Sequence, residues 1–167
     1  MMADTTPRAD LHPSHQHADG RSLTVEEQRN LATMVRFREL YNGDDMERFV
    51  RESYAPTFHV LNLDGSSWSA SGANRHNLLD DTDAFIRAEV FIKEKAPGRR
   101  MAYRRVIASG NVVTVEASIV DDAQEGWELS WCGIYTFDGE GRIVSDHSYL
   151  NRHDWPGISE LVGQRGS

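Results

Sequence analysis

The residues best suited to chemistry lie near the end of the chain, where Asp146 and Ser148 alternate with His147 and Tyr149. Alternate residues of an extended strand point to the same face, so Asp146 and Ser148 share one face and His147 and Tyr149 the other. A carboxyl group buried in an apolar cavity has a raised pKa, because burial disfavours its charged form. Placed in such a cavity, Asp146 would be a candidate general acid or base near neutral pH, with Ser148 supporting it.

Asp146 also has a purely structural interpretation, in which a backbone group or an arginine simply holds it. In the strand predicted over residues 100–108, Arg105 shares a face with Met101 and Tyr103. An ion pair between Arg105 and Asp146 would lower the pKa of the carboxyl and weaken it as a base. A one-residue bulge in the last strand would exchange its two faces, so His147 is a reserve candidate.

Further side chains on neighbouring strands could bind a small molecule. The hydroxyl of Tyr103, placed in an apolar pocket, would polarise a carbonyl or an enolate. In the strand predicted over residues 127–137, Leu129, Trp131 and Gly133 share one face. The indole of Trp131 offers a flat wall suited to a ring-shaped ligand, although an indole in a core also serves simply as packing.

Helices must hold these strands, and the first half of the chain predicts them. Residues 24–27, Thr-Val-Glu-Glu, form a capping box that begins a helix, and Asn42-Gly43 ends it. A short second helix follows over residues 44–50, and from residue 55 alternation places Phe58 and Val60 on one face of a strand. Residues 62–77 are predicted to be a long loop. Acidic residues at 80–83 then begin a third helix, and lysines at 93 and 95 end it.

The rest of the chain reads as strands over residues 100–108, 112–120, 127–137 and 142–151. Val113, Val115, Ala117 and Ile119 form an apolar row that should face the helices, whereas Glu116 points outward. Helices gathered at the front and antiparallel strands behind predict an α+β fold. In that fold about three helices pack on the concave face of a curved, mainly antiparallel sheet.

Composition excludes several functions. The chain has 167 residues, with 18 Lys and Arg against 26 Asp and Glu, for a net charge of −8. Such an acidic chain suits neither nucleic acid nor an anionic membrane. No apolar run reaches the length of a membrane span, and Cys132 alone makes no internal disulfide. We expect a cytoplasmic protein.

The sequence motifs predict no metal site and no nucleotide cofactor. The histidines within the predicted domain, at positions 59, 76, 147 and 153, show no metal-ligand spacing, and no phosphate-binding glycine motif or nucleophile elbow occurs. Residues 1–22, with histidines at 12, 15 and 17, are predicted to be a disordered or loosely packed tail that binds a transition metal weakly at best. The domain then covers residues 23–157, and residues 158–167 form a second tail.

Three segments resemble the nuclear transport factor 2-like superfamily. LYNGD at residues 40–44 is similar to its link between the first two helices, YAPTF at 54–58 to its entry into the first strand, and GRIVSDHSYLN at 141–151 to its last strand. The resemblance extends over residues 24–155. It implies a cone-shaped α+β barrel, with the SnoaL-like polyketide cyclases, limonene epoxide hydrolases and ketosteroid isomerases as the most similar branches.

The resemblance implies a deep apolar pocket between the sheet and the helices. Side chains of all the long strands would line it: Val60, Met101, Tyr103, Arg105, Ala117, Leu129, Trp131, Asp146 and Ser148. The resemblance also implies a water-positioning role for Asn62, for which capping of the following loop is an equal alternative. Gly133 stands where the cyclases keep a histidine. Relatives of this fold commonly dimerise through the outer sheet face, where Thr114, Glu116 and Tyr149 would lie.

Three functions remain open at this point. The first is a cofactor-independent isomerase, cyclase or dehydratase that transfers a proton in a hydrophobic cyclic, polyketide-like or steroid-like molecule, with Asp146, Tyr103, Asn62 and Ser148 as catalytic residues. The second is a hydrolase or epoxide-opening enzyme that activates water in the same pocket. The third is a dimeric module that binds a small molecule without converting it.

Overall fold

A computed structural model of the chain describes residues 22–62, 77–79 and 82–150. Three helices and six strands lie in these ranges. In chain order they are α1 (Val25–Tyr41), α2 (Met46–Ser53), β1 (Tyr54–Asn62), β2 (Asn77–Leu79), α3 (Thr82–Lys95), β3 (Arg99–Ser109), β4 (Val112–Asp121), β5 (Glu128–Phe137) and β6 (Ile143–Leu150).

The strands form one mixed sheet in the order β2-β1-β6-β5-β4-β3. Strands β1 and β6 run parallel, and every other neighbouring pair is antiparallel. The sheet does not close, since β2 and β3 lie at its edges. This is the predicted α+β architecture, although β2 lies partly within the segment that the sequence predicts to be loop.

Helix α1 is fixed to the sheet by part-buried polar contacts at both of its ends. At the start of α1, the hydroxyl of Thr24 accepts from the amide of Glu27, and the Glu27 carboxylate accepts from the amide of Thr24 at 2.8 Å, which confirms the capping box. The same carboxylate accepts from the amide of Gly110 in the β3–β4 turn at 2.9 Å. At the other end of α1, the side chain of Asn42 exchanges two hydrogen bonds with the backbone of Met101 in β3.

The core lies between the helices and one face of the sheet. The apolar row of β4, Val113, Val115, Ala117 and Ile119, has exposed fractions of 0–1 %, whereas Glu116 is exposed on the opposite face, as predicted. Aromatic side chains from the helices and from β1 fill the space above this row, and they contact one another at ring-centroid distances of 4.7–6.4 Å.

Two β-bulges decide which side chains face the core. In β3, Tyr103 pairs with Ala117 and Arg105 with Glu116, so Arg104 is the extra residue. The bulge turns Arg105 outward, and the prediction that it shares a face with Met101 and Tyr103 is therefore wrong. In β6 the register shift falls at Val144, before Asp146, so the faces of Asp146 and His147 are not exchanged.

The predicted tails and most of the loop over residues 62–77 lie outside the described residues, as do the N-terminal histidines. The domain boundaries at residues 23 and 157 therefore stay predictions. Within the described ranges, no helix combines the length and the apolar composition needed to cross a membrane.

Replacement of Glu27 by alanine is expected to destabilise the protein. The change removes the acceptor of two backbone amides from a fully buried position, and we expect a loss of about 2–4 kcal/mol in the free energy of unfolding. Urea denaturation measures it. Glu26→Ala, one residue earlier and exposed, is the matched control, and equal effects of the two changes would contradict the assigned contacts.

Candidate active site

Asp146 lies in the middle of β6 on the face that the helices cover, and it is 4 % exposed. Its partner in register on β1 is Val60, and its partner on β5 is Tyr135. The carboxylate accepts two hydrogen bonds from hydroxyl groups, at 2.6 Å from Tyr54 and at 2.8 Å from Ser148. The structure therefore brings the predicted pair Asp146 and Ser148 into direct contact.

Burial controls the protonation of this carboxyl. Desolvation raises the pKa of Asp146 to about 6, against the opposing effect of the hydrogen bonds from Tyr54 and Ser148. The negative charge of Glu89 on α3 raises it further. Among the ion pairs of the described residues, none includes Asp146. Near neutral pH the Asp146 carboxyl is therefore mostly ionised, but the pH lies close to its pKa, so it can readily take up a proton.

Aromatic side chains from three elements surround the hydroxyl that binds Asp146. The Tyr54 ring, at the junction of α2 and β1, lies 4.7 Å from the Phe58 ring and 5.3 Å from the Phe85 ring of α3. It also packs edge-on against Phe49 of α2. These ring contacts hold Tyr54 in place, and the Asp146 carboxyl that it binds is itself buried.

Tyr103 faces the interior as predicted, but its hydroxyl is already bonded. It donates to the backbone carbonyl of Met34 in α1 at 2.8 Å. Burial is the main cause of its raised pKa, and the charge of Asp146 adds to it. Tyr103 thus lies within the electrostatic reach of Asp146 and, in this structure, fixes β3 to α1.

The other predicted lining residues fall on both faces of the sheet. Met101, Leu129, Trp131 and Ala117 are buried on the inner face, at exposed fractions of 1–6 %. Arg105 is the exception, with an exposed guanidinium whose Nε lies 3.9 Å from Glu116. It cannot pair with Asp146 from there, so that expectation is wrong.

Asn62 is described only in its backbone, which pairs with Ser148 on one side and with Asn77 on the other. Its role as a holder of water or substrate stays a prediction.

Two tyrosines near Asp146 are absent from the residues that the sequence analysis selected. Tyr54 lies next to a register shift between β1 and β6, where alternation gives no reliable face. Tyr135, by contrast, has the same parity on β5 as Leu129 and Trp131, and extending that row would have found it. Its hydroxyl is buried and forms no hydrogen bond with another described residue.

A second buried polar group lies near the ends of α1 and α3. The guanidinium of Arg99 is 1 % exposed and donates to the carboxylate of Glu89 at 2.8 Å. It also lies over the Tyr41 ring, 4.5 Å from its centroid, and contacts the sulfur of Met46. Arg99 precedes the predicted strand by one residue, so alternation within that strand assigns it to neither face, whereas β3 of the structure begins at Arg99.

The described residues include no group of three histidine, cysteine, aspartate or glutamate side chains that could hold a metal ion. The polar groups around Asp146 are hydroxyls, which suit hydrogen bonding to a neutral organic molecule better than metal binding.

The outer face of the sheet carries a groove of about 420 Å³. Arg104, Arg105, Glu116, Cys132 and Tyr149 are among its lining residues, and Tyr149 is 44 % exposed. This is the face through which the resemblance implies self-association, and dimerisation stays a prediction.

Comparison with known proteins relates this chain to others by its fold and not by its sequence. No protein-family model matches the sequence, and no curated protein matches it significantly. Among solved structures, a protein from Jannaschia sp. CCS1 assigned as a SnoaL-like polyketide cyclase superposes with a TM-score of 0.63 at 15% identity, over 79% of this chain and 92% of that one. The chain has the nuclear transport factor 2-like fold.

Other structures with this nuclear transport factor 2-like fold bear different names. A steroid delta-isomerase from Pseudomonas aeruginosa matches at 20% identity with a TM-score of 0.57, over 86% of this chain and 95% of that one. An LEH-like epoxide hydrolase from M. tuberculosis matches at 14% identity with a TM-score of 0.54, over 83% and 92% of the two chains. At these identities the likeness concerns the fold and not the reaction.

Replacement of Asp146 by asparagine is expected to stabilise this chain at neutral pH. The carboxyl has a higher pKa folded than unfolded, so the native state binds its proton more tightly, and stability is lost as pH rises from about 4 to about 6. Asparagine avoids that loss, and we expect a gain of about 1–3 kcal/mol at pH 7, since one pKa unit corresponds to about 1.4 kcal/mol.

Urea denaturation of both proteins at pH 4.5 and pH 7.5 measures this effect. The difference between them should grow with pH. Asp44→Asn, at a side chain 98% exposed, should show no such growth. A constant difference for Asp146→Asn would contradict the raised pKa.

Proposed function

We propose that this chain is a cofactor-independent enzyme that moves a proton within a hydrophobic, carbonyl-bearing small molecule, with Asp146 as the acid and base. The proposal rests on the burial, the hydrogen bonding and the raised pKa of the Asp146 carboxyl group. It is buried, it accepts hydrogen bonds only from hydroxyls among the described residues, and its pKa is raised to about 6. A base is most effective when its pKa lies near the working pH.

The proposed reaction begins at a C–H bond next to the substrate carbonyl. The ionised carboxylate takes that proton, and the electron pair of the bond moves onto the carbonyl oxygen as an enolate. Return of the proton to a different carbon gives isomerisation. Attack of the enolate carbon on a second carbonyl, whose oxygen takes the proton from Asp146 as the new C–C bond forms, gives aldol-type cyclisation. Expulsion of a hydroxyl group from the adjacent carbon, which leaves as water with that same proton while a C=C bond forms, gives dehydration. None of these outcomes needs a cofactor.

The surroundings of Asp146 support an uncharged, largely apolar substrate. Leu129, Trp131, Val60 and Ala117 are buried side chains of the inner face, and the ring of Tyr54, whose hydroxyl binds the carboxyl, packs against Phe58 and Phe85. An anionic substrate would have to lose its hydration beside the negative charge of Asp146, which no basic side chain among the described residues neutralises by an ion pair. An apolar ring system that stacks on Trp131 gives up little free energy of hydration when it leaves water.

Ser148 and Tyr54 act as positioning residues in this proposal, since both donate to the carboxylate and orient it. Asn62 is the candidate from the sequence for holding the substrate oxygen, because its backbone lies in register with Ser148. For Tyr103 to do so, its bond to Met34 would have to break.

Water activation is the second candidate, and the register of Asn62 beside Ser148 and Asp146 is the observation that favours it. An amide and a carboxylate on adjacent strands suit the orientation and deprotonation of a water molecule. An epoxide would then replace the carbonyl compound as the substrate.

Asp146→Asn is expected to lower the rate by about 10²–10⁴-fold, because asparagine cannot take a proton. The full chain is assayed on enones, polyketones and epoxides, and kcat and KM are compared with those of the unchanged protein and of Asp44→Asn. Turnover at the normal rate in the Asp146 variant would overturn both mechanisms. A bound apolar ligand without turnover of any panel member would indicate a binding module.

Tyr54→Phe is expected to move the acid limb of the pH–rate profile to higher pH. The Tyr54 hydrogen bond is the largest effect that lowers the pKa of Asp146, so its loss raises that pKa. The base then stays protonated to a higher pH, and the rate at pH 6 falls more than the rate at pH 8. Tyr41→Phe, which removes a hydroxyl from another buried tyrosine, is the control. An unshifted limb would show that Tyr54 does not tune the base.

A further inference from the structure

A buried ion pair that the proposed mechanism does not use joins α3 to the start of β3. The guanidinium of Arg99, 1 % exposed, donates to the carboxylate of Glu89, 13 % exposed, at 2.8 Å. Such a pair holds the helix to the sheet, but apolar side chains of similar volume often do so equally well, because they avoid the cost of desolvating two charges. Anchoring alone therefore does not account for charged groups at this place.

The positive end of the pair lies against the end of α1 and the start of α2. The guanidinium of Arg99 stacks on the ring of Tyr41, 4.5 Å from its centroid, and contacts the sulfur of Met46. Tyr41 is the last residue of α1, and Met46 is the first residue of α2. The positive charge is thereby held at the junction of these two helices.

The negative end of the pair lies on the face of α3 that packs against Tyr54. Glu89 follows Phe85 by four residues, and side chains at this spacing are neighbours on one face of a helix. The ring of Phe85 lies 5.3 Å from the ring of Tyr54, whose hydroxyl donates to Asp146 at 2.6 Å. One face of α3 thus supplies both a ring that holds Tyr54 and a carboxylate.

The electrostatic effects of the two charges follow this placement. Burial is the largest cause of the raised pKa of Asp146 and of Tyr54, and the negative charge of Glu89 adds to both. The positive charge of Arg99 instead opposes the rise that burial causes in the pKa of Tyr41. The ion pair is therefore oriented, with its carboxylate acting on the candidate base.

The other titratable groups that face this interior carry no charge near neutral pH. Burial raises the pKa of Tyr103 on β3 and of Tyr135 on β5, so both hydroxyls stay protonated. His147 lies on the opposite face of β6. Glu89 therefore differs from the tyrosines around Asp146, because it brings a full negative charge.

We propose that Glu89 is a positioning residue for the proposed reaction: held by Arg99, it keeps a negative charge beside the hydrogen-bonded pair of Tyr54 and Asp146, so that Asp146 takes a proton from the substrate more readily. This inference rests on the proposed function. Two negative charges in one interior repel each other, and protonation of Asp146 relieves that repulsion. The position of α3 on the sheet then controls the strength of the base.

Glu89→Gln tests the inference, because it removes the charge and keeps the size of the side chain. Asp146 should then stay ionised to lower pH, so the acid limb of the pH–rate profile moves to lower pH, opposite to the shift expected for Tyr54→Phe. On a substrate that the unchanged protein converts, the ratio of the rate at pH 5 to the rate at pH 8 should rise about threefold or more. Glu94→Gln, the same change at an exposed position of α3, should leave the profile unchanged.

A second variant covers the case in which Glu89→Gln folds poorly. The double variant Glu89→Gln/Arg99→Met removes both charges together, so no buried guanidinium loses its carboxylate partner. The acid limb should move in the same direction as in Glu89→Gln, because the carboxylate is the end of the pair that acts on Asp146. The shift should be of similar or smaller size, since no positive charge is left over.

The protonation of Asp146 can also be measured without turnover. Carbon NMR of the full chain follows the Asp146 carboxyl signal as the pH is varied, and the loss of that signal in Asp146→Asn identifies it. At pH 5 the ionised fraction should be about threefold larger in Glu89→Gln than in the unchanged protein. It should be the same in Glu94→Gln as in the unchanged protein.

The outcomes separate this inference from the function on which it rests. If Asp146→Asn abolishes turnover while Asp146 titrates at the same pH with and without Glu89, the role of Glu89 is overturned and the proposed function stands. A lower melting temperature in both Glu89 variants without a shift of the titration shows that the ion pair is only an anchor, which also overturns the inference. If Asp146→Asn keeps normal turnover, both fail.

Discussion

Keeping one carboxyl group away from water, inside an otherwise apolar interior, is the constraint on which the arrangement around Asp146 depends. An ionised carboxylate without partners would be too costly to bury. Tyr54 and Ser148 supply hydrogen bonds at 2.6 and 2.8 Å, yet desolvation still outweighs them, and the pKa of Asp146 settles at about 6. This balance requires the α2–β1 junction, which carries Tyr54, to lie beside β6, where Tyr54 pairs with Ile143.

Much of this architecture follows from periodicity and capping. The capping box of α1 and the apolar row of β4 need only local sequence patterns, because side-chain direction repeats regularly within a helix or a strand. The same alternation places Asp146 and Ser148 on one face and Trp131 on the inner face of β5. The order of the elements predicts helices packed on one face of the sheet, and the resemblance of three short segments adds the nuclear transport factor 2-like cone, a fold that the solved structures share.

What could not be predicted depends on contacts between elements. The bulge at Arg104 turns Arg105 away from the core, and it arises from a pairing with β4 that the spacing of β3 residues does not encode. The bond from Tyr54 to Asp146 joins residues far apart in the chain. Whether a buried tyrosine serves structure or chemistry depends on its partner, and only the folded chain shows that Tyr103 binds Met34.

Gly133 shows how the absence of one side chain bears on the chemistry of the whole interior. The resemblance aligns Gly133 with a histidine of the polyketide cyclases, whereas in this structure the rings of Trp131 and Tyr135 converge over the glycine. Where the resemblance implies a second titratable group, this chain has aromatic surface and a hydroxyl. The proposed proton transfer would therefore rely on Asp146, which accepts hydrogen bonds from Tyr54 and Ser148. The acidity of the C–H bond would then come from the carbonyl group of the substrate itself.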